Sequence, residues 1–343
     1  MSPEQPTKHK VKWPDIFQEG VLVDLDISFW SGRKKLSLPE LGVQPKDKED
    51  SERLKELFSL GTKRLIPKER IAKFQFLANK TRQTLDKFSL RFPIGKARYV
   101  PENTLPTLLL ELEDLKAKFD QEVASFFDDY ENLRTQMLDL YEDHAAAVWE
   151  KHREELPDKS EESFLDRFMG PIEVAYPGKK KIMSMFGVDW HMFSIDAPVI
   201  PGVGTDQTDK INGFLDHVVV TLREEITTYV EHVCGMIEDD KKFTERTMKA
   251  LRKKIQRFRM LNFLGDGKVE EQLKKLENDF LKGAEAKEFR GSTEQMGALK
   301  AALKGLSKSV NGAGPVNHPK YGKLGAVGAR RFAAKVKKEN DEE

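Results

Sequence analysis

The chain has 343 residues, 34% of them charged and 38% hydrophobic, with 58 lysines and arginines against 57 aspartates and glutamates. That length allows one large domain or two ordinary ones. No stretch approaches the roughly 18 consecutive apolar residues of a membrane span, and the opening Met1-Ser2-Pro3-Glu4-Gln5-Pro6 lacks a signal-peptide run. A soluble cytoplasmic protein is expected, without an intrachain disulfide because Cys234 is the single cysteine. With a net charge of only +1, any binding to nucleic acid must come from local clustering of cations.

Residues 1–19 read as an N-terminal extension. From Gly20 to Leu36, Val21, Val23, Leu25, Ile27 and Phe29 alternate with Leu22, Asp24, Asp26, Ser28 and Trp30, the period of a half-buried strand. Ser31-Gly32 ends it, and Arg33-Lys34-Lys35 follows. A short helix is expected over Ser51–Leu60, closed by Gly61. A second runs from Pro67 to Phe88, with Ile71, Phe74, Leu77, Thr81, Leu85 and Phe88 on one stripe.

The dominant feature spans residues 104–155. Its apolar positions, Leu108, Leu112, Leu115, Phe119, Val123, Phe126, Tyr130, Leu133, Met137, Leu140, His144 and Val148, are spaced by threes and fours. They average about 3.6 residues per step, which predicts a nearly straight amphipathic helix roughly 75 Å long. Residues 157–209 look irregular, broken by Pro171, Pro177, Pro198 and Pro201. They include a candidate strand at Met192–Ala197 that could pair with the first.

Residues 210–264 repeat the helical spacing through Ile211, Leu215, Val218, Leu222, Ile226, Tyr229, Val233 and Ile237. An acidic break at Glu238-Asp239-Asp240 precedes Leu251, Ile255 and Phe258. Eleven acidic and three basic residues lie between Glu111 and Asp143, whereas nine basic and one acidic lie between Lys241 and Arg259. Complementary charge therefore predicts an antiparallel hairpin or bundle of the two long segments, its seam made by Leu108, Leu112, Leu115, Phe119, Phe126, Leu222, Ile226 and Ile255. Further helices are expected at Val269–Leu281, after the Gly265-Asp266-Gly267 turn, and at Ser292–Leu306. Residues 307–343, rich in glycine and basic residues, read as a flexible basic tail. The fold class is then mainly α, with elongated long helices, a small β element and that tail. Residues 20–306 form the helical domain.

Catalytic and metal signatures are not found. Gly265-Asp266-Gly267-Lys268 has Asn262 and Val269 where a P-loop needs Gly and Ser or Thr. Asp26-Ile27-Ser28 begins like a von Willebrand A metal site but ends in Trp30, and His217 and His232 lie about four turns apart, too far to share an ion. Gly-x-Ser-x-Gly and His-Glu-x-x-His do not occur. An unfamiliar enzyme would have to work through Asp24, Asp26 and Asp189. No enzyme, metal or cofactor is expected. Nucleic-acid contact, if made, would use Lys320, Lys323, Arg330, Arg331, Lys335, Lys337 and Lys338 of the tail, with a second basic patch at Lys249, Arg252, Lys253 and Arg257. Trp30-Ser31-Gly32-Arg33-Lys34-Lys35 is a third, shorter cluster, read as a solvated strand end.

Val21 to Leu36, together with Arg98-Tyr99-Val100-Pro101-Glu102, resembles an uncharacterised bacterial domain-of-unknown-function family found on plasmids, integrative conjugative elements and phages. The resemblance covers about Val21 to Leu306, with Trp30, Gly32, Arg33, Arg98, Tyr99 and Pro101 as its motif residues. Members are often encoded beside a MoxR-like AAA+ ATPase and a von Willebrand A protein, which implies a partner role in an ATPase machine. The expected function is a non-enzymatic helical scaffold or adaptor that binds such a protein, or a second copy of itself. The alternative is a DNA-binding accessory factor using the basic tail.

Overall fold

The computed structural model describes residues 16–36, 61–92, 95–158, 160–194, 208–239 and 243–325. The helix expected at Ser51–Leu60 and residues 195–197 of the second candidate strand lie outside these. In chain order the elements are β1 (Gly20–Ser28), β2 (Arg33–Lys35), β3 (Thr62–Arg64), α1 (Lys68–Phe88), β4 (Leu90–Arg91), β5 (Arg98–Pro101) and α2 (Leu105–His152). There follow α3 (Glu161–Glu173), α4 (Lys179–Met183), β6 (Gly187–Phe193), α5 (Thr208–Glu238), α6 (Glu245–Leu261), α7 (Gly267–Leu276), a π-helical turn over Glu277–Leu281, α8 (Ala286–Arg290), α9 (Thr293–Asn311), β7 (Val316–His318) and β8 (Gly322–Leu324). The chain is mainly helical, with one long helix and small antiparallel sheets. Among the described residues no helix is long and apolar enough to cross a membrane.

The chain divides into two compact units. The first comprises residues 1–24, 84–109 and 191–343, and the second residues 25–83 and 110–190. In the first unit, Phe214, Leu222, Ile226 and Val230 of α5 are buried with Leu299, Leu303 and Leu306 of α9 and with Leu251, Ile255 and Phe258 of α6. Charged groups there are held internally. Arg223 reaches Asp266 at 2.6 Å while donating to the carbonyls of Ala313 and Gly314. Asp266 also caps α7 by accepting from the Val269 N–H. β1 pairs antiparallel with β5, Gly20 opposite Pro101 and Val23 opposite Arg98. Gly20 is needed at that edge, since a Cβ would stand 2.3 Å from the Val100 carbonyl oxygen.

The second unit is organised around Phe74 of α1. Its ring lies 5.4 Å from Phe119, 5.8 Å from Phe126 and 4.8 Å from Phe186. Trp30 is buried in the same cluster beside Phe126 and Tyr130. β6 neighbours β1 in the order β4-β5-β1-β6, and it shares only Met192 and Phe193 with the expected second strand. The second strand begins earlier than its alternation suggested, at Gly187.

Four expectations are corrected. The proposed seam does not form one core: Phe119 and Phe126 are buried with Trp30 and Phe74, whereas Leu222, Ile226 and Ile255 are buried with α9. Leu108, Leu112 and Leu115 are buried as the stripe required, but they belong to neither of those clusters. Periodicity fixes which face is covered and leaves the covering element open. Beyond Met137 the buried side of α2 moves to Tyr141, Ala145 and Trp149, because the Arg64 backbone bonds Tyr141 and Phe164 of α3 packs on Trp149. Leu140 and Val148 are left 48% and 45% exposed.

Residues 160–194 of the stretch expected to be irregular carry α3, α4 and β6: Ser160 caps α3, Pro171 lies inside α3 in its last turn and Pro177 between α3 and α4, while Pro198 and Pro201 lie outside the described residues. Residues 307–325 are not a tail. α9 continues to Asn311, and β7 pairs with β8, burying Val316, Tyr321 and Leu324. Glycine content masked these anchors. Residues 326–343 lie outside the described chain.

Phe74→Ala should cost about 3–5 kcal/mol, the range for emptying a large buried aromatic site. Phe76→Ala on the same helix, where the ring is 67% exposed, should stay within about 0.5 kcal/mol. Urea unfolding of the two variants checks this, and equal losses would contradict the placement of α1.

Candidate functional site

The second unit carries a cationic hairpin whose position follows from local packing. The burial of Trp30 brings the chain to the surface at Ser31, where Gly32 adopts φ +63°. A side chain there would meet Ile71 at 3.1 Å and Ile66 at 3.3 Å, so glycine satisfies both the left-handed backbone and the close approach. The Leu65 N–H donates to the Gly32 carbonyl at 2.7 Å and the Leu36 N–H to that of Gly61 at 3.0 Å, closing β2 onto β3. The register sets Arg33 opposite Arg64 and Lys34 opposite Lys63.

Neighbouring elements clamp this hairpin. The Arg64 N–H donates to Tyr141 Oη at 3.1 Å, and that hydroxyl donates back to the Arg64 carbonyl at 2.9 Å. Tyr176 Oη donates to the Leu65 carbonyl at 2.8 Å. Lys63, only 8% exposed, donates to the Pro171 carbonyl at 2.6 Å. The result is a stiff backbone with its cations turned outward.

Against it lies a cleft of about 200 Å³. Buried Ile66 and Ile71 form its floor and half-buried Phe29 one wall, while Ser31, Arg33, Arg64, Lys68 and Gln75 stand exposed around it. Arg33, Lys34, Lys35, Arg64 and Lys68 have no acidic partner among the described residues. Like charges directly across a ladder destabilise the pair. An anion between Arg33 and Arg64 would relieve that repulsion and accept charge-assisted hydrogen bonds, which are shorter and stronger than neutral ones.

The residues singled out by sequence divide differently. Arg252 donates to the carbonyls of Leu281 and Ala284, both at 2.6 Å. Arg257 holds Glu225 at 3.0 Å and the carbonyls of Asp86, Lys87 and Ser89, while Arg259 holds Glu270 and Glu277, each at 2.7 Å. The basic stretch of α6 thus bonds within the first unit, and the expectation that it neutralises the acidic α2 is corrected. Lys249 and Lys253 remain exposed. Lys320 contacts Gln18 and Glu19, Lys323 is exposed, and Arg330, Arg331, Lys335, Lys337 and Lys338 lie outside the described residues.

Of the motif residues, Trp30, Gly32 and Arg33 build the hairpin. Arg98 pairs with Asp86 at 2.7 Å, Pro101 closes the β1–β5 ladder, and Tyr99 is buried, its hydroxyl donating to the Ile16 carbonyl at 2.9 Å and pushed far above its usual titration range by burial. Asp189 lies 3.6 Å from Lys116. Burial pushes the Cys234 thiol up, away from the reactive thiolate. Among the described residues no group of three or more His, Cys, Asp or Glu is arranged to hold a metal.

Sequence reasoning noticed Arg33 but missed Arg64, Lys68 and Phe29 as its companions. Three-residue strands carry too little alternation to be seen, and Thr62-Lys63-Arg64 is separated from β2 by a long connection.

The fold and site define a mainly helical protein of two compact units with a cationic cleft on one of them. The chain belongs to the family described as "Protein of unknown function (DUF3150)", which it matches over residues 17–303. No curated protein and no solved structure matches it.

Gly32→Ala should lower stability by about 1–3 kcal/mol through the left-handed backbone and the contact with Ile71. Urea unfolding measures it, and a variant as stable as the parent would contradict the described turn.

Proposed function

We propose that the chain is a non-enzymatic, cytoplasmic adaptor of a mobile element or phage that holds nucleic acid by its phosphate backbone. One observation carries this reading: Arg33, Arg64 and Lys68, from three different elements, converge on a single cleft without an acidic partner among the described residues. Phosphate contacts release condensed counterions, so binding through such a cluster weakens steeply as salt rises. The reading shifts nucleic-acid contact from the C-terminal tail to the β2–β3 hairpin.

Fluorescence anisotropy of a labelled duplex with the full chain across a salt series tests it. Arg33→Ala with Arg64→Ala should reduce the slope of log affinity against log salt by about 2, near 0.9 for each lost phosphate contact. Unchanged affinity in that variant, with binding lost instead when Arg330, Arg331, Lys335, Lys337 and Lys338 become Gln, would return the interface to the tail.

A scaffold reading is favoured by Leu140 and Val148 of α2, two apolar side chains about half exposed on either side of the exposed His144. Under it, these two side chains meet a protein partner such as an AAA+ ATPase or a von Willebrand A protein. Leu140→Asp with Val148→Asp should abolish capture of a purified MoxR-like AAA+ ATPase while circular dichroism stays unchanged. Capture as strong as the parent's would count against it.

A further inference from the structure

We infer that the cleft beside the hairpin takes one unpaired base of a single-stranded nucleic acid, with the flanking phosphates on Arg33, Arg64 and Lys68. This rests on the phosphate-binding reading above and adds the kind of strand bound. The cleft has two chemically different halves. Its cations stand exposed, each from a separate element, and offer charge-assisted hydrogen bonds to phosphate oxygens.

The other half is apolar. Ile66 and Ile71 close the floor, and the Phe29 ring is fixed near-parallel to Phe74, at 6.3 Å between centroids and 22° between planes. Phe29 is therefore packed on Phe74, and this half-buried residue lines the cleft. Gln75, exposed one turn along α1 from Ile71, can donate to and accept from a base edge.

Size narrows the occupant. About 200 Å³ is below the range of roughly 300–1,000 Å³ typical of pockets that engulf a whole ligand, but it admits one flat ring whose backbone stays outside. A duplex keeps its bases paired and stacked, so it could use the cations and would leave the apolar half empty. A single strand can splay a base onto an aromatic ring, and such stacking tolerates any sequence because every base has a π face.

The test uses the full chain and fluorescein-labelled 20-mers in anisotropy titrations at one fixed salt concentration. A mixed-sequence single strand should bind at least about tenfold tighter than its duplex, in line with one stacked base. A strand of the same length made of abasic residues should fall to the level of the duplex. Phe29→Ala should weaken the single strand about 5- to 150-fold and the duplex less than about twofold. Because Phe29 also packs on Phe74, Gln75→Ala provides an exposed second variant, expected to weaken only the single strand.

Duplex binding equal to that of the single strand, abasic binding equal to that of the intact strand, or inorganic polyphosphate competing as well as the strand would each overturn the inference. If these occur while Arg33→Ala with Arg64→Ala still lowers affinity, phosphate binding stands and only base insertion falls. If no nucleic acid binds, both fall.

Discussion

The packing of Trp30 and Phe74 against the apolar stripe of α2 is the interaction on which the cationic cleft depends. Phe126 meets both rings, so one position on α2 ties the exit of β1 to α1. Once Trp30 is buried the chain must surface at Ser31 and turn, and only a residue tolerant of positive φ and of contact with Ile71 fits at the turn. Arg33 is then set opposite Arg64 by backbone geometry alone. Emptying any part of this aromatic cluster would loosen the floor of the cleft as well as the core.

Charge is handled differently at the hairpin and in α6. In the first unit, Arg252, Arg257 and Arg259 each hold two or more acceptors, and Arg223 sits nearly buried on Asp266. Removing Asp266 would leave Arg223 an uncompensated, nearly buried charge, which typically costs about 3–5 kcal/mol, while the partly exposed Arg252, Arg257 and Arg259 are tied to the fold by their acceptors. The side chains of Arg33 and Arg64 in the hairpin and of Lys68 at the start of α1 are exposed to solvent, while Tyr141, Tyr176 and Lys63 bond the hairpin to neighbouring elements. A backbone held in this way, with cations that have no acidic partner among the described residues, keeps the ordering cost of binding an anion low.

Much of the fold was legible. The alternation of Gly20 to Ser28, the 3.6-residue stripe from Leu108 to Met137, and the break before α6 each correspond to an observed element, because a half-buried surface imposes its period on the sequence. Partner choice was not legible. Both long segments present an apolar face and complementary charge, yet Ile255 packs in the α5–α9 core and its arginine neighbours bond to α5, α7 and nearby carbonyls. The hairpin after α9 was hidden by glycines that serve its turn rather than flexibility. Of the site, Arg33 was visible as a basic turn. Its companions Arg64 and Lys68 become neighbours only through the pairing of two strands of three residues each, a length at which no period can be read.

Photo-crosslinking measures most directly which surface holds nucleic acid. A single strand carrying 4-thiothymidine, irradiated with the full chain and digested, reports the contacted peptides by mass spectrometry. Crosslinks are expected on the segments containing Phe29 to Lys35 and Arg64 to Gln75. Crosslinks confined to residues 241–259 or 326–343 would contradict the placement of the interface on the β2–β3 hairpin.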